Sequence, residues 1–273
     1  MTQAPIEGVL PLDKPAGMTS HQAVARVRRL LGIRRIGHTG TLDPEVTGVL
    51  PLCIGRAARI VEWLQELPKE YEAVMHIGEA TDTEDRTGRV TERVADVRLT
   101  EKQIRDGMAR FVGTIRQVPP MYSAVKHEGR RLHELAREGV VVERKPREAV
   151  IHALTVHAIE WRERHPFVRF TVVCSKGTYV RTLCADIGRS LGYPAVMDSL
   201  RRTASGPFRI EQCVTLEELA ERVERGELGD VLVPIDRALA HFPAASLYPA
   251  WSDRARSGRK LPEGSGAWPR VDG

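Results

Sequence analysis

Strand-like and helix-like segments interleave along this chain without a regular β-α-β-α rhythm, and that irregular order is what most limits its fold. A strict alternation would build a doubly wound parallel sheet. Its absence favours an α+β domain whose sheet is largely antiparallel and flanked by helices and loops. Strand patterns run over Gly8–Leu12, Val49–Ile54, Tyr71–Ile77, Val150–Trp161, Phe167–Cys174 and Pro194–Ser205. Val49–Ile54 is a short continuous apolar run, consistent with a buried strand. Helical patterns follow Thr19 and cover Ala57–Leu67, Leu99–Phe111, Tyr179–Leu191 and Thr215–Arg225. Thr19 with Gln22, and Thr100 with Gln103, have capping-box spacing, and Gly32 marks a helix stop. Thr81–Gly88 reads TDTEDRTG, a polar, turn-rich loop. No internal repeat interrupts the 273 residues, which are ample for a substantial core.

Several function classes are excluded early. Uncharged apolar runs such as Val46–Gly55 fall well short of the ~20 residues a membrane span needs. The N-terminus lacks a basic region followed by an apolar stretch, so no signal peptide is read. Cys53, Cys174, Cys184 and Cys213 form no C-x-x-C pair and accompany no H-x3–5-H run, so neither a structural zinc nor a disulfide framework is expected. The expectation is a soluble, cytoplasmic protein with no membrane segment and no metal. Net charge is +5, and 34 of the 41 basic residues are arginine, whose planar fork suits phosphates. A genome rich in G and C would produce the same arginine bias, so only the net charge points to an anionic partner. Aromatic content of 5% argues against a surface made of rows of base-stacking rings.

The segment Gly37-His38-Thr39-Gly40-Thr41-Leu42-Asp43-Pro44 carries the most chemical information. Two glycines three apart open backbone conformations closed to other residues. Pro44 biases Asp43 towards an extended conformation. One carboxylate is thus held on a stiff turn between two ordered elements. On residue chemistry alone an aspartate in a turn is most often a cap or an Asx-turn residue. The segment is neither a P-loop nor a dinucleotide fingerprint, because the glycine and lysine spacings of those motifs are absent.

GHTGTLDP closely resembles the catalytic-aspartate motif of TruB-type pseudouridine synthases, and further segments match in family order: GVLPLDKPAGMTSH, TGVLPLCIGRAAR, KEYEAVMHIGEATDTED, PPMYSAVK, RLHELAREG, SKGTYVRTLCADIG and LRRTASGPF. The resemblance covers about residues 7 to 240 and rests on several long motifs at once. It implies the pseudouridine synthase fold, a catalytic domain over residues 1–240, and a thumb-like RNA-gripping insertion over 121–147. Residues 241–273 would then be a short PUA-like remnant. The implied reaction takes the T-loop uridine of tRNA, at position 55, flips it out of the stack, breaks N1–C1′, turns the base and rejoins it through C5. No cofactor and no obligatory protein partner are implied, and the chain is expected to act as a monomer on the tRNA T-arm.

By the same resemblance Asp43 is the catalytic aspartate and Arg181, in GTYVRT, is its partner. Asp43 could attack C1′, attack C6 or take a ribose proton. All three routes need the anion, so a low pKa is expected from a nearby guanidinium. Tyr71, in KEYE, would pack against the uracil and take part in removal of the C5 proton. Leu200 and Tyr179 would line the pocket, and His38 would occupy the space left by the flipped base. Lys14 and Asp85 are candidates for RNA contact, though both also suit turn stabilisation. In Lys126–Arg147, seven cationic residues face four acidic ones, and Arg130 and Arg131 are the candidate phosphate contacts. Three other classes are weighed. A catalytically idle RNA binder would not need Asp43, Tyr71 and Arg181 together. A glycosidase would want two carboxylates about the bond, where this loop offers Asp43 alone. A zinc deaminase would need H-x-E and P-C-x-x-C, neither of which occurs.

Overall fold

The computed structural model describes residues 6–123, 125–244, 246–263 and 266–267. The chain opens with β1 (Gly8–Lys14), α1 (Ser20–Leu31), β2 (Ile36–His38) and β3 (Thr47–Ile54). A 3-10 turn, Gly55–Ile60, leads into α2 (Val61–Glu66), then β4 (Lys69–Ile77), β5 (Glu79–Thr81) and β6 (Val90–Arg93). There follow α3 (Glu101–Ala109), β7 (Gly113–Gln117), β8 (Lys126–His127), β9 (Arg130–Arg131) and α4 (Leu132–Arg137). The second half comprises β10 (Arg147–Arg162), β11 (His165–Cys174), α5 (Val180–Ser190), β12 (Ala195–Ser205), β13 (Phe208–Arg209) and α6 (Leu216–Arg225). Short pieces close the chain: α7 (Ile235–Ala238), β14 (Ser246–Leu247), α8 (Pro249–Arg256) and β15 (Gly266–Ala267).

One mixed sheet in the order β1-β3-β12-β4-β11-β10-β7 organises the molecule. Every neighbouring pair along it is antiparallel except β12 with β3, which pair in parallel through Arg201–Thr47 and Arg202–Gly48. This is the expected α+β architecture. β1 occupies one edge of β3 from Gly48 to Ile54, so β2 and β12 must share the other. β12 takes its start and β2 its end, and the 39–46 loop lies where the sheet forks. At the fork Gly48 has φ +105, and a Cβ there would fall 2.2 Å from the Arg202 carbonyl oxygen. Only glycine lets the strands meet so closely.

Side chains of β1 and β3 alternate between two apolar clusters. Leu10, Leu12, Leu50 and Leu52 enter the main core, while Val9, Val49 and Cys53 enter a second cluster with Ala57, Leu64 and Phe208. Covering on both faces explains the unbroken apolar run of β3. Both capping boxes form as their spacing requires, and Gly32 closes α1 in the left-handed conformation. The Ala57–Leu67 helix is shorter than its pattern suggests, because the first turn is 3-10 and only Val61–Glu66 is α. Only Gly40 of the two motif glycines has a positive φ. Gly37 stays in β2, where its lack of a side chain matters for space: a Cβ would touch Val61 at 3.0 Å.

The 121–147 insertion is a hairpin, β8–β9, followed by α4 and an extended return to β10. Leu132 and Leu135 are buried beneath it. Of the expected PUA-like segment, residues 245, 264–265 and 268–273 lie outside the described residues. The rest forms the small β14–β15 pair and the largely exposed α8. Among the described residues no helix is long and apolar enough to cross a membrane.

Candidate active site

A cleft of about 320 Å³ opens over β4 and β12, between the 39–46 loop and the turn that starts α5. Its lining includes Asp43, Tyr71, Tyr179, Arg181, Leu200 and Arg202. A second cavity of about 720 Å³ shares Asp43 and Leu200 and extends past Asp85. Asp43 therefore stands at the boundary of two connected spaces.

Buried donors hold the Asp43 loop from three sides. Lys14 has no exposed surface. Its ammonium donates to the carbonyls of Pro15 at 2.7 Å, Met18 at 2.6 Å and Pro44 at 3.0 Å. Those bonds use all three N–H groups, so Lys14 is placed to hold the loop and has none left for RNA. Burial lowers its pKa to about 8, against the pull of Glu45 and Asp43. From α1, the Ser20 hydroxyl accepts from Leu42 N at 2.9 Å and donates to Leu42 O at 3.2 Å. From β12, Arg202 donates through Nη2 to Gly40 O at 3.3 Å and through Nε to Val49 O at 2.6 Å.

Arg181 joins two carboxylates. Its side chain is 6% exposed, with Nη2 3.5 Å from Asp43 and Nη1 3.7 Å from Asp85. Nη2 also donates to the Tyr122 carbonyl at the root of the insertion. Asp85 reaches this place because its own turn fixes it. One carboxylate oxygen accepts from Thr83 Oγ1 at 2.8 Å and Thr87 N at 2.9 Å, which leaves the other for Arg181. The loop is stitched to β12 by Met197 N to Glu84 O and Arg86 N to Met197 O, both 3.1 Å. Glu84 completes the turn at φ +65, and its carboxylate accepts from Thr182 Oγ1.

The pKa of Asp43 runs against the sequence expectation. The Asp43 side chain is 43% exposed; partial removal from water raises its pKa, Arg181 lowers it, Asp85 raises it and Lys14 lowers it, and the balance lies above the ordinary aspartate value. The partner guanidinium is present, but enclosure and a second carboxylate outweigh it. Burial likewise raises the Tyr71 hydroxyl, while Arg202 pulls the other way.

The other candidates separate cleanly. Tyr179 is held by Gln117 in both directions, N to Oε1 at 3.0 Å and Nε2 to O at 3.1 Å. His38 lies outside the cleft lining, edge-on to His21 with centroids 5.6 Å apart, and burial lowers its pKa. Arg130 and Arg131 lie on the exposed insertion, where Arg130 pairs with Glu138. Sequence reading missed Arg202 and Lys69, both buried and both in the cleft wall. Strand alternation across Arg201-Arg202 was the available signal: Arg201 pairs with Asp13 at 2.7 Å on one face, so Arg202 points to the other.

Comparison with known proteins gives this arrangement a context. The family model for the N-terminal domain of TruB family pseudouridylate synthases matches residues 28–180, and that for the C-terminal domain of tRNA pseudouridylate synthase B matches 181–240. A tRNA pseudouridine synthase B of Halalkalibacterium halodurans is 48% identical over 258 residues, 94% of this chain and 85% of its own. One from Bacillus pumilus is 49% identical over 260 residues, 94% and 84% of the two chains. A chain in the crystal structure of a Cbf5-Nop10-Gar1 complex superposes with a TM-score of 0.73 at 34% identity, covering 93% of this chain and 68% of that one. A chain from an H/ACA RNP bound to a substrate RNA containing 2′-deoxyuridine gives 0.73 at 31%, covering 95% and 69%. With the two matches tiling the cleft and both walls, the chain belongs to the TruB family of pseudouridylate synthases, isomerases that convert uridine to pseudouridine.

Proposed function

We propose that this protein isomerises the T-loop uridine of tRNA, at position 55, with Asp43 as the reacting carboxylate. The observation that carries the reading is the convergence of Asp43, Arg181, Tyr71 and Leu200 on one cleft from four separate parts of the chain. A stacked base cannot reach such a cleft, so it must be extruded at a cost of a few kcal/mol. His38, on the strand that leads into the Asp43 loop, is read as the residue that fills the space left behind. Arg181 keeps Asp43 anionic against the desolvation that a bound base deepens. Attack at C1′, attack at C6 and ribose deprotonation all begin from that anion. Tyr71 offers its ring to the uracil and its hydroxyl to the C5 proton. Tyr179 and Leu200 shape the walls, and Asp85 orients Arg181 from behind. Lys14 serves through the loop it holds.

The exposed cations of 121–147, Arg130 and Arg131 among them, suit phosphate contacts that position RNA without reading its sequence. Residues 241–273 are read as a PUA-like segment beside the 1–240 catalytic domain. The protein is taken to work as a cytoplasmic monomer without a cofactor. The test is tritium release from tRNA transcript labelled at uracil C5. Release equal to one label per pseudouridine formed supports the reading, whereas tRNA binding without release contradicts it.

A further inference from the structure

Charge around the cleft does not balance where it is most needed. Arg181 is shared by Asp43 and Asp85, so that cluster carries a net negative charge. Arg202 is 1% exposed, lines the same cleft and has no carboxylate within 4.0 Å among the described residues. A buried charge without a counter-ion is costly and persists only where several polar contacts or a ligand compensate it. Here Nε and Nη2 bind the carbonyls of Val49 and Gly40, either side of the Asp43 loop. Arg202 also lies directly opposite Tyr71 in the β4–β12 register, so the two side chains share a face. Both side chains line the cleft, and the guanidinium lowers the pKa of the Tyr71 hydroxyl against the effect of its burial.

We propose that Arg202 is a positioning residue for the isomerisation, fixing the Tyr71 hydroxyl relative to the Asp43 loop and setting its charge environment. This rests on the reading of Tyr71 as a reacting-site residue. Around Tyr71 in the cleft stand Arg202 from β12, Cys174 from β11, Asp43 from its loop, Lys69 two residues back on β4 and Arg181 from α5. The Lys69 ammonium is engaged by the Gln65 and Leu67 carbonyls and Arg181 by Asp43 and Asp85, so Arg202, opposite Tyr71 in the register, is the cation placed to favour a polarised or ionised hydroxyl. Loss of Arg202 should therefore act through Tyr71, on turnover more than on tRNA binding.

The test combines kinetics with a direct view of the phenol. Arg202→Gln should lower the single-turnover rate at saturating tRNA about tenfold or more, with Kd for tRNA changed less than about twofold. In a Tyr71→Phe background the same substitution should cost less than about threefold, because contacting residues are not additive. The chain has five tyrosines, so 13Cζ-tyrosine labelling resolves Tyr71 by its disappearance in Tyr71→Phe. Its titration should move to higher pH in Arg202→Gln than in wild type. If Arg202→Gln does not fold, Arg202→Lys takes its place. It keeps the charge but not the fork, so the rate should fall with the same dependence on Tyr71. Additive losses together with an unmoved Tyr71 titration would overturn the proposal. The titration needs no turnover, so it stands or falls separately from the tritium-release test.

Discussion

The Asp43 loop and the 121–147 insertion both leave the same sheet, yet they are held in opposite ways. Buried groups from β1, α1 and β12 fix the loop: the Lys14 ammonium, the Ser20 hydroxyl and the Arg202 guanidinium each bind its backbone. The insertion rests on two leucines of α4 and on Arg144 donating to Pro119 O at 3.1 Å, while Arg130, Arg131, Arg137, Lys145 and Arg147 are exposed. Exposed pairs such as Arg130–Glu138 contribute little to stability. The contrast follows from the two tasks. Bond-breaking at a sugar carbon needs the carboxylate fixed to within a fraction of an ångström. Gripping a polyanion needs charge and reach, and tolerates slack. Arg181 links the two regions, pairing with Asp43 and donating to the Tyr122 carbonyl.

If that division holds, Asp43→Asn should give the largest kinetic effect. The amide keeps the shape and loses the anion, so turnover should fall about 10⁴-fold or more, the scale seen when a reacting group is removed. tRNA binding, measured by filter retention, should stay within a few-fold of wild type. Lys14→Met should show itself in stability instead. Three part-buried carbonyls would lose their donor, and an acceptor left unsatisfied costs ~1–3 kcal/mol where water does not reach it. Urea unfolding should therefore show a loss of about 1–3 kcal/mol, with activity falling alongside it. The double change Arg130→Ala with Arg131→Ala should leave stability and maximal turnover almost unchanged. It should weaken tRNA binding and lower the salt slope by about 1.4, at ~0.7 for each of two phosphates left without a cation. Equal affinity and parallel salt plots would make the insertion's charge a merely solvated face.

The sequence was legible where the determinants are local. Thr19 with Gln22 and Thr100 with Gln103 lie one helical turn apart, and both boxes form. The short apolar run at Val49–Ile54 is consistent with a buried strand, and β3 is one, covered on both faces. Irregular alternation of elements pointed to an α+β sheet without stating which strands would pair. The Asp85–Arg181 contact was hidden, because it depends on how the TDTED turn docks on Met197 of β12, more than a hundred residues away. Arg202 was hidden for the same reason: its position opposite Tyr71 is set by strand register. The guanidinium partner of Asp43 was expected, but not the rise in its pKa, since enclosure is a property of the assembled cleft.

That rise offers the sharpest test of Asp43 as the reacting anion. The single-turnover rate should be measured against pH for wild type, Asp85→Asn and Arg181→Met. The active form is the carboxylate, so activity is lost as pH falls through its pKa. In wild type the acid limb should lie above the ordinary aspartate value of 3.8. Removing the Asp85 charge should move that limb to lower pH, and removing Arg181 should move it higher, because the two act on Asp43 with opposite sign. Opposite displacements, with the remaining rate of both variants still titrating, are the expected result. An acid limb that stays in the same place in all three proteins would show that Asp43 is not the group whose ionisation drives the reaction.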